Sequence, residues 1–169
     1  NDYIPSTLPH RAEHIQRLGG ILAPALSGSK ISNLFVYGKT GTGKTIVAKF
    51  VLERLKKKAE DVGAPVRVSY VNCRMAGSNY RVLADLCRSV GVEIPFTGLA
   101  LGEVIERFKN GLNADRIALI VVLDEIDALV KGRQDDSLLY ELTRINEQLV
   151  RSWIGFVGVA NDPPLNEFP

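Results

Sequence analysis

Thiol chemistry is nearly missing from this 169-residue chain, which has two cysteines. Cys73 and Cys87 make no C-x-x-C pair, so the sequence carries no signature of a thiolate metal site or a dithiol redox centre. The reading is two buried, reduced thiols. Excess charge is also scarce: 21 Lys and Arg stand against 19 Asp and Glu, a net +2. Bulk charge therefore does not argue for nucleic acid, and any DNA contact must come from a local patch. No apolar run reaches the ~20 residues of a membrane span, and no leader-peptide pattern is visible. No membrane partner and a cytoplasmic location are expected. There is no internal repeat and no low-complexity tract. What is present is 46% hydrophobic residues, which suits a globular chain long enough for one domain with a real core.

One stretch organises the rest. Gly38, Lys39, Thr40, Gly41, Thr42, Gly43, Lys44 and Thr45 fit G-x-x-x-x-G-K-[ST], a phosphate-binding loop. The apolar run Leu34-Phe35-Val36-Tyr37 before it reads as a buried strand, and helical periodicity follows over 45–58. The glycines let the backbone wrap around phosphate oxygens, which the N–H groups and the positive helix end then bind. Lys44 supplies a point charge at the β- and γ-phosphates, and Thr45 offers a hydroxyl to Mg²⁺. With Ile46 next in the helix, positions 38–46 are the expected nucleotide-binding set, for ATP or ADP with Mg²⁺.

Around this loop the pattern alternates. Residues 1–9 read as an extended arm and 10–26 as a helix weakened by Gly19-Gly20 and Pro24. His10-Arg11-Ala12-Glu13-His14 matches H-x-x-E-H, an inverted zinc-protease pattern, but no further ligand is identifiable and a solvated helix start is preferred. The loop helix has Lys56-Lys57-Lys58 at its expected end, where basic residues complement the helix dipole. Gly63-Ala64-Pro65 is the stop. Strands are expected at 66–71, 117–123 and 153–160, and helices at 79–90, 101–112 and from 136 to 149. The run 117–123 is continuously apolar, as a central parallel strand covered on both faces would be. Strands alternating with helices give an α/β fold: a three-layer sandwich around a mostly parallel sheet, with right-handed crossovers.

The strand at 117–123 ends in Asp124-Glu125-Ile126-Asp127. An acidic pair at the carboxyl edge of a parallel strand is where a phosphate-loop fold holds its metal ion. Asp124 is the candidate Mg²⁺ residue. Glu125 is placed to orient a water toward the γ-phosphate, a reaction that needs positioning and charge stabilisation more than covalent chemistry. A helix-capping carboxylate is the plainer alternative for Glu125, and Asp127 reads as structural. Asn161 follows the last strand and would emerge on the same edge. It either hydrogen-bonds the attacking water or γ-phosphate, or simply forms the turn before Asp162-Pro163-Pro164.

Taken together, these residues resemble a AAA+ ATPase base domain, and more narrowly the archaeal origin-recognition and cell-division-cycle replication initiators. Tyr3-Ile4-Pro5, Leu8-Pro9-His10-Arg11, 35–45, Tyr80-Arg81-Val82-Leu83, 121–127 and Gly158-Val159-Ala160-Asn161-Asp162 carry the likeness, which runs nearly end to end. The resemblance implies an amino-terminal arm over the adenine, with Ile4, Pro5 and Arg11 near the base. It implies a Walker B pair at Asp124 and Glu125, and a first sensor at Asn161, so that Lys44, Glu125 and Asn161 are the catalytic set. It also implies an initiator-specific helical insertion within 79–110, with Pro95, Phe96, Thr97 and Gly98 at its DNA-touching tip. An ordinary surface turn is the alternative there. The implied partners are origin duplex DNA and a replicative helicase or other initiator subunits, in a cytoplasmic, nucleoid-associated setting.

Relatives continue through an arginine finger, a lid and a winged-helix domain. None of these fits after Asn161, and the chain starts at Asn1 without Met. The expectation is a base domain, residues 1–169, cut from a longer protein or belonging to a shortened relative, with slow hydrolysis. Ala160 stands where relatives often carry Thr. A clamp-loader-like ATPase acting as a protein-interaction switch is the closest rival. A GTPase lacks its N-K-x-D motif here, and a small-molecule kinase fits the acidic pair and Asn161 less well.

Overall fold

A computed structural model describes residues 11–37, 43–130 and 137–161. Its four strands are β1 (Leu34–Tyr37), β2 (Val66–Asn72), β3 (Ala118–Asp124) and β4 (Trp153–Ala160). They form one sheet in the order β1-β4-β3-β2, and every neighbouring pair is parallel. The expected "mostly parallel" sheet is thus wholly parallel among the described residues. The helices are α1 (Ala12–Leu22), α2 (Lys44–Val62), α3 (Cys73–Ala76), α4 (Asn79–Ser89), α5 (Leu101–Asn113), α6 (Asp127–Val130) and α7 (Ser137–Arg144).

Two cores, one on each face of the sheet, explain why β3 is apolar without a break. Side chains alternate across a strand. Leu119, Val121 and Leu123 face one core with α4 and α5, through Val82, Leu83, Leu86, Val104, Phe108 and Leu112. Ala118, Ile120 and Val122 face the other with α1 and α2, through Leu18, Leu22, Val47, Val51 and Leu55. All seven residues of β3 are buried, and each fully buried large aliphatic side chain contributes roughly 1.5–3 kcal/mol. Helices on both faces make the expected three-layer sandwich.

Three boundaries differ from expectation. The helix read over 10–26 is α-helical only over Ala12–Leu22. A 3-10 turn, Ala23–Ser27, follows with Pro24 at its start and Gly28 in a left-handed conformation (φ 86°) at its end. The loop helix does not stop at its three lysines but runs to Val62. Gly63 (φ 70°) terminates it, its N–H donating to the carbonyls of Ala59 and Glu60, so no basic residue lies in the last turn. The helix read over 136–149 ends at Arg144 and tightens into a 3-10 turn, Ile145–Gln148. There Asn146 clamps the start of β4: Ile154 N–H donates to its Oδ1 (2.8 Å) and its Nδ2 donates to the Ile154 carbonyl (2.9 Å).

β4 is threaded between β1 and β3, and it is the strand with glycines at two buried positions. A Cβ on Gly158 would lie 2.7 and 2.9 Å from the Phe35 ring and 3.1 Å from Ile126 Cδ1. The ring is packed against the core and cannot swing away cheaply. Gly158→Ala is therefore expected to cost about 1–3 kcal/mol, the range for overpacking a filled core. Urea unfolding measures this, and an unchanged midpoint would refute the close-packed account of β4.

Candidate functional site

The carboxyl ends of the strands and the start of α2 share one edge of the sheet. Gly43, left-handed at φ 78°, delivers the chain into α2, whose first residues are Lys44 and Thr45. A Cβ on Gly43 would overlap the Arg11 guanidinium, so Arg11 lies directly against the loop's last glycine. Asp124 closes β3 and is 3% exposed. The register pairs Asn72 with Asp124 and Leu123 with Gly158, which sets the ends of β2, β3 and β4 side by side.

Asp124 is hydrogen-bonded at both oxygens. Thr45 Oγ1 donates to Oδ2 at 2.6 Å, and the Tyr70 hydroxyl donates to the same oxygen. The Glu125 N–H donates to Oδ1 at 2.8 Å. Glu125 then turns the chain out of the strand with φ 49°, the one non-glycine residue with positive φ among the described residues. The Ile126 N–H donates to the Val159 carbonyl at 3.0 Å, locking this turn to β4. The Glu125 carboxylate faces Arg74 at 3.7 Å. A cleft of about 720 Å³ is lined by Lys44, Thr45, Arg81, Asp124, Glu125 and Asn161.

Gly43, Lys44 and Thr45 at the start of α2 and the acidic end of β3 therefore line one cleft. The family profile described as "AAA domain" matches residues 29–160. The chain belongs to that family.

An ORC1-type DNA replication protein 1 of Aeropyrum pernix is 49% identical to this AAA domain over 161 residues, covering 95% of the chain and 41% of that protein. An ORC1-type DNA replication protein of Pyrococcus abyssi is 44% identical over 172 residues, 99% of the chain and 41% of that protein. Among solved structures, the Aeropyrum pernix ORC1 protein in complex with DNA superposes with a TM-score of 0.88 at 48% identity, over 95% of the chain and 41% of that one. The Aeropyrum pernix ORC2 protein, determined as ADPNP-ADP complexes, gives 0.80 at 30% identity over 96% and 44%. The chain thus spans about two fifths of the length of these relatives.

Of the residues singled out in the sequence, the AAA domain brings Arg11, Gly43, Lys44, Thr45, Asp124, Glu125 and Asn161 to this edge. Ile46 also lines the cleft but is 45% exposed. Ile4, Pro5, Gly38, Lys39, Thr40, Gly41 and Thr42 lie outside the described residues, as does Pro163-Pro164. Pro95, Phe96, Thr97 and Gly98 form an exposed loop between α4 and α5, away from the cleft lining. The Tyr80 hydroxyl donates to the Pro95 carbonyl at 2.7 Å, and Phe96 is 71% exposed beneath the Arg81 guanidinium, 4.1 Å from its ring centroid. Glu13 and His14, from the zinc-like match, sit exposed on α1, where Glu13 pairs with Arg17 at 3.2 Å; His10 is outside the described residues. Among the described residues no cluster of three His, Cys, Asp or Glu side chains could hold a metal, and no helix is long and apolar enough to cross a membrane.

Sequence reasoning missed Tyr70, Arg74 and Arg81. Tyr70 and Arg74 reach the site because β2 lies beside β3, a pairing that no local motif encodes. Burial, then the hydrogen bond to Asp124, holds the Tyr70 phenol above its ordinary range. Lys49 lies 4.6 Å from the centre of its ring, closing the other face.

The two cysteines are buried and free. Burial, then the negative charge of Asp124, pushes the Cys73 thiol up to about 12, and burial pushes Cys87 up to about 11, with Arg107 pulling the other way. The thiolate is the nucleophile, so both cysteines should resist a disulfide reagent at pH 8 in the folded protein and react fully in urea. Because the folded pKa values are raised, the stabilisation is complete below the unfolded thiol value of 9.0 and declines as pH rises from there toward 11 and 12. Urea midpoints at pH 8 and 10 should fall accordingly; two fast thiols in the native chain at pH 8 would contradict the assignment.

Proposed function

We propose that this chain is the ATP-binding and slowly hydrolysing domain of a DNA replication initiator that recognises origin duplex DNA. The observation that carries the nucleotide half is the 2.6 Å contact between Thr45 Oγ1 and Asp124 Oδ2. It joins the helix after the glycine loop to the acidic end of β3, which is not adjacent to β1 in the sheet.

A hydroxyl and a carboxylate oxygen are the hard donors Mg²⁺ prefers, and Mg²⁺ keeps several waters and takes phosphate oxygens for the rest. Thr45 and Asp124 fit that demand. The metal would neutralise charge between the phosphates. Lys44 and the α2 N-terminus bind the phosphate anion. Glu125 orients the attacking water and accepts its proton, and Asn161, just past the end of β4, hydrogen-bonds water or γ-phosphate without adding charge. Arg11, against Gly43, is placed to approach the nucleotide from the arm side. Turnover is slow when no arginine finger reaches the γ-phosphate, since such a finger is worth ~10³-fold or more.

The DNA half is supported by relatives named ORC1-type DNA replication proteins and by the likeness to an ORC1 protein in complex with DNA. Within this chain the exposed loop carrying Pro95, Phe96, Thr97 and Gly98, in the 79–110 insertion, is the proposed contact. Other initiator subunits and the replicative helicase are the proposed protein partners, in the cytoplasm at the nucleoid. Two measurements test the whole reading: calorimetric titration with ADP and Mg²⁺, and protection of origin duplex against random duplex with and without ATP. Absence of nucleotide binding sinks the first half. Equal protection of both duplexes sinks the second.

A further inference from the structure

Arg81 stands at a junction the proposed function does not use. It sits at the start of α4 and lines the same cleft as Lys44, Thr45 and Glu125. The same guanidinium lies 4.1 Å from the centroid of the Phe96 ring in the exposed loop. The acidic neighbour one turn on, Asp85, is taken by Arg88 at 3.2 Å, and Glu125 is taken by Arg74. Among the described residues, the Phe96 ring is thus the partner of the Arg81 side chain. A cation on the wall of an anion-binding cleft, held only by an exposed aromatic face, has a weak present partner and a strong potential one.

Magnitudes decide which wins. An exposed cation–π contact is worth only about two- to fivefold in an equilibrium. A charge-assisted hydrogen bond from arginine to a phosphate oxygen is stronger, roughly tenfold to a hundredfold, and is often two-pronged. A bound nucleoside triphosphate therefore takes the guanidinium from the ring.

We infer that Arg81 is a shared residue: it binds the nucleotide's phosphates and, when they are absent, the Phe96 ring, so that nucleotide occupancy sets the state of the 95–98 loop. This rests on the nucleotide-binding reading above. The coupling is reciprocal, as any linkage must be. Whatever holds Phe96 away from Arg81 tightens nucleotide binding by the same factor by which nucleotide frees Phe96. If that loop meets duplex DNA, Arg81 is the connection through which ATP and DNA sense one another.

The test needs no DNA. Phe96→Trp puts an exposed indole under the guanidinium, and the chain's own single tryptophan, Trp153, is buried and gives a constant background emission. Adding non-hydrolysable ATP with Mg²⁺ should shift the emission of Phe96→Trp, and the shift should vanish when Arg81→Ala is added, measured at saturating nucleotide in both. By titration, Arg81→Ala should weaken triphosphate binding about tenfold, while Phe96→Ala, which removes the competitor, should tighten it two- to fivefold. Folding is checked by unaltered urea midpoints, expected because Phe96 is exposed and Arg81 is only partly buried. Nucleotide binding with no emission change, or with Phe96→Ala neutral or weaker, overturns the sharing of Arg81 and leaves the nucleotide site standing. A wild-type chain that binds no nucleotide overturns both.

Discussion

Glu125→Gln is expected to keep nucleotide binding and to lose at least ~100-fold in ATP turnover, the lower end of what a positioned acid–base group contributes. The substitution preserves the shape of the side chain and its place at the turn after β3. It removes the charge proposed to polarise water, and with it the 3.7 Å ion pair to Arg74. Single-turnover hydrolysis separates this from binding: a lower chemical step at unchanged ADP affinity is the expected split. Turnover equal to wild type would show that Glu125 merely caps the turn.

Lys44→Ala should have the larger effect on binding, abolishing measurable affinity for ATP and ADP alike. Lys44 is the first residue of α2 and lines the cleft beside Thr45, so its charge adds to the helix N-terminus where the phosphates are proposed to sit. Two charge-assisted contacts at about 1.5–3 kcal/mol each correspond to a loss of at least ~100-fold. Calorimetry at high protein concentration reads the loss, and an unaltered urea midpoint shows that the fold survives. Wild-type affinity would mean that the phosphates bind elsewhere, and the role of Thr45 would fall with them.

The parts of this site that local sequence could announce were those with a chemical reason to sit together in the chain. Gly43-Lys44-Thr45 is legible because a backbone must turn tightly before a helix to bind an anion. Asp124 and Glu125 are legible because the apolar run before them can only be a covered strand. The order of the strands is not local. β1 pairs with β4, more than a hundred residues later, and β2 comes to lie beside β3, which alone brings Tyr70 and Arg74 to Asp124 and Glu125. The periodicity of residues 10–26 and 136–149 was equally real. It could not show where a helix tightens, because Pro24 and Asn146 act through neighbours outside their own segments. Lys56-Lys57-Lys58 misled as a helix end for a related reason: charge near a terminus is a preference, whereas Gly63 supplies the conformation that ends the helix.

The backbone at Glu125 is held in a conformation that costs a side chain with a Cβ roughly 1–2 kcal/mol. Were folding the only demand, glycine or asparagine would occupy that corner and the domain would be more robust for it. With the water-activating role proposed for Glu125, a carboxylate kept there against that preference sets heat tolerance and turnover at odds at a single position. Selecting this domain for endurance alone would then push it toward a well-folded protein in which the proposed hydrolysis is lost.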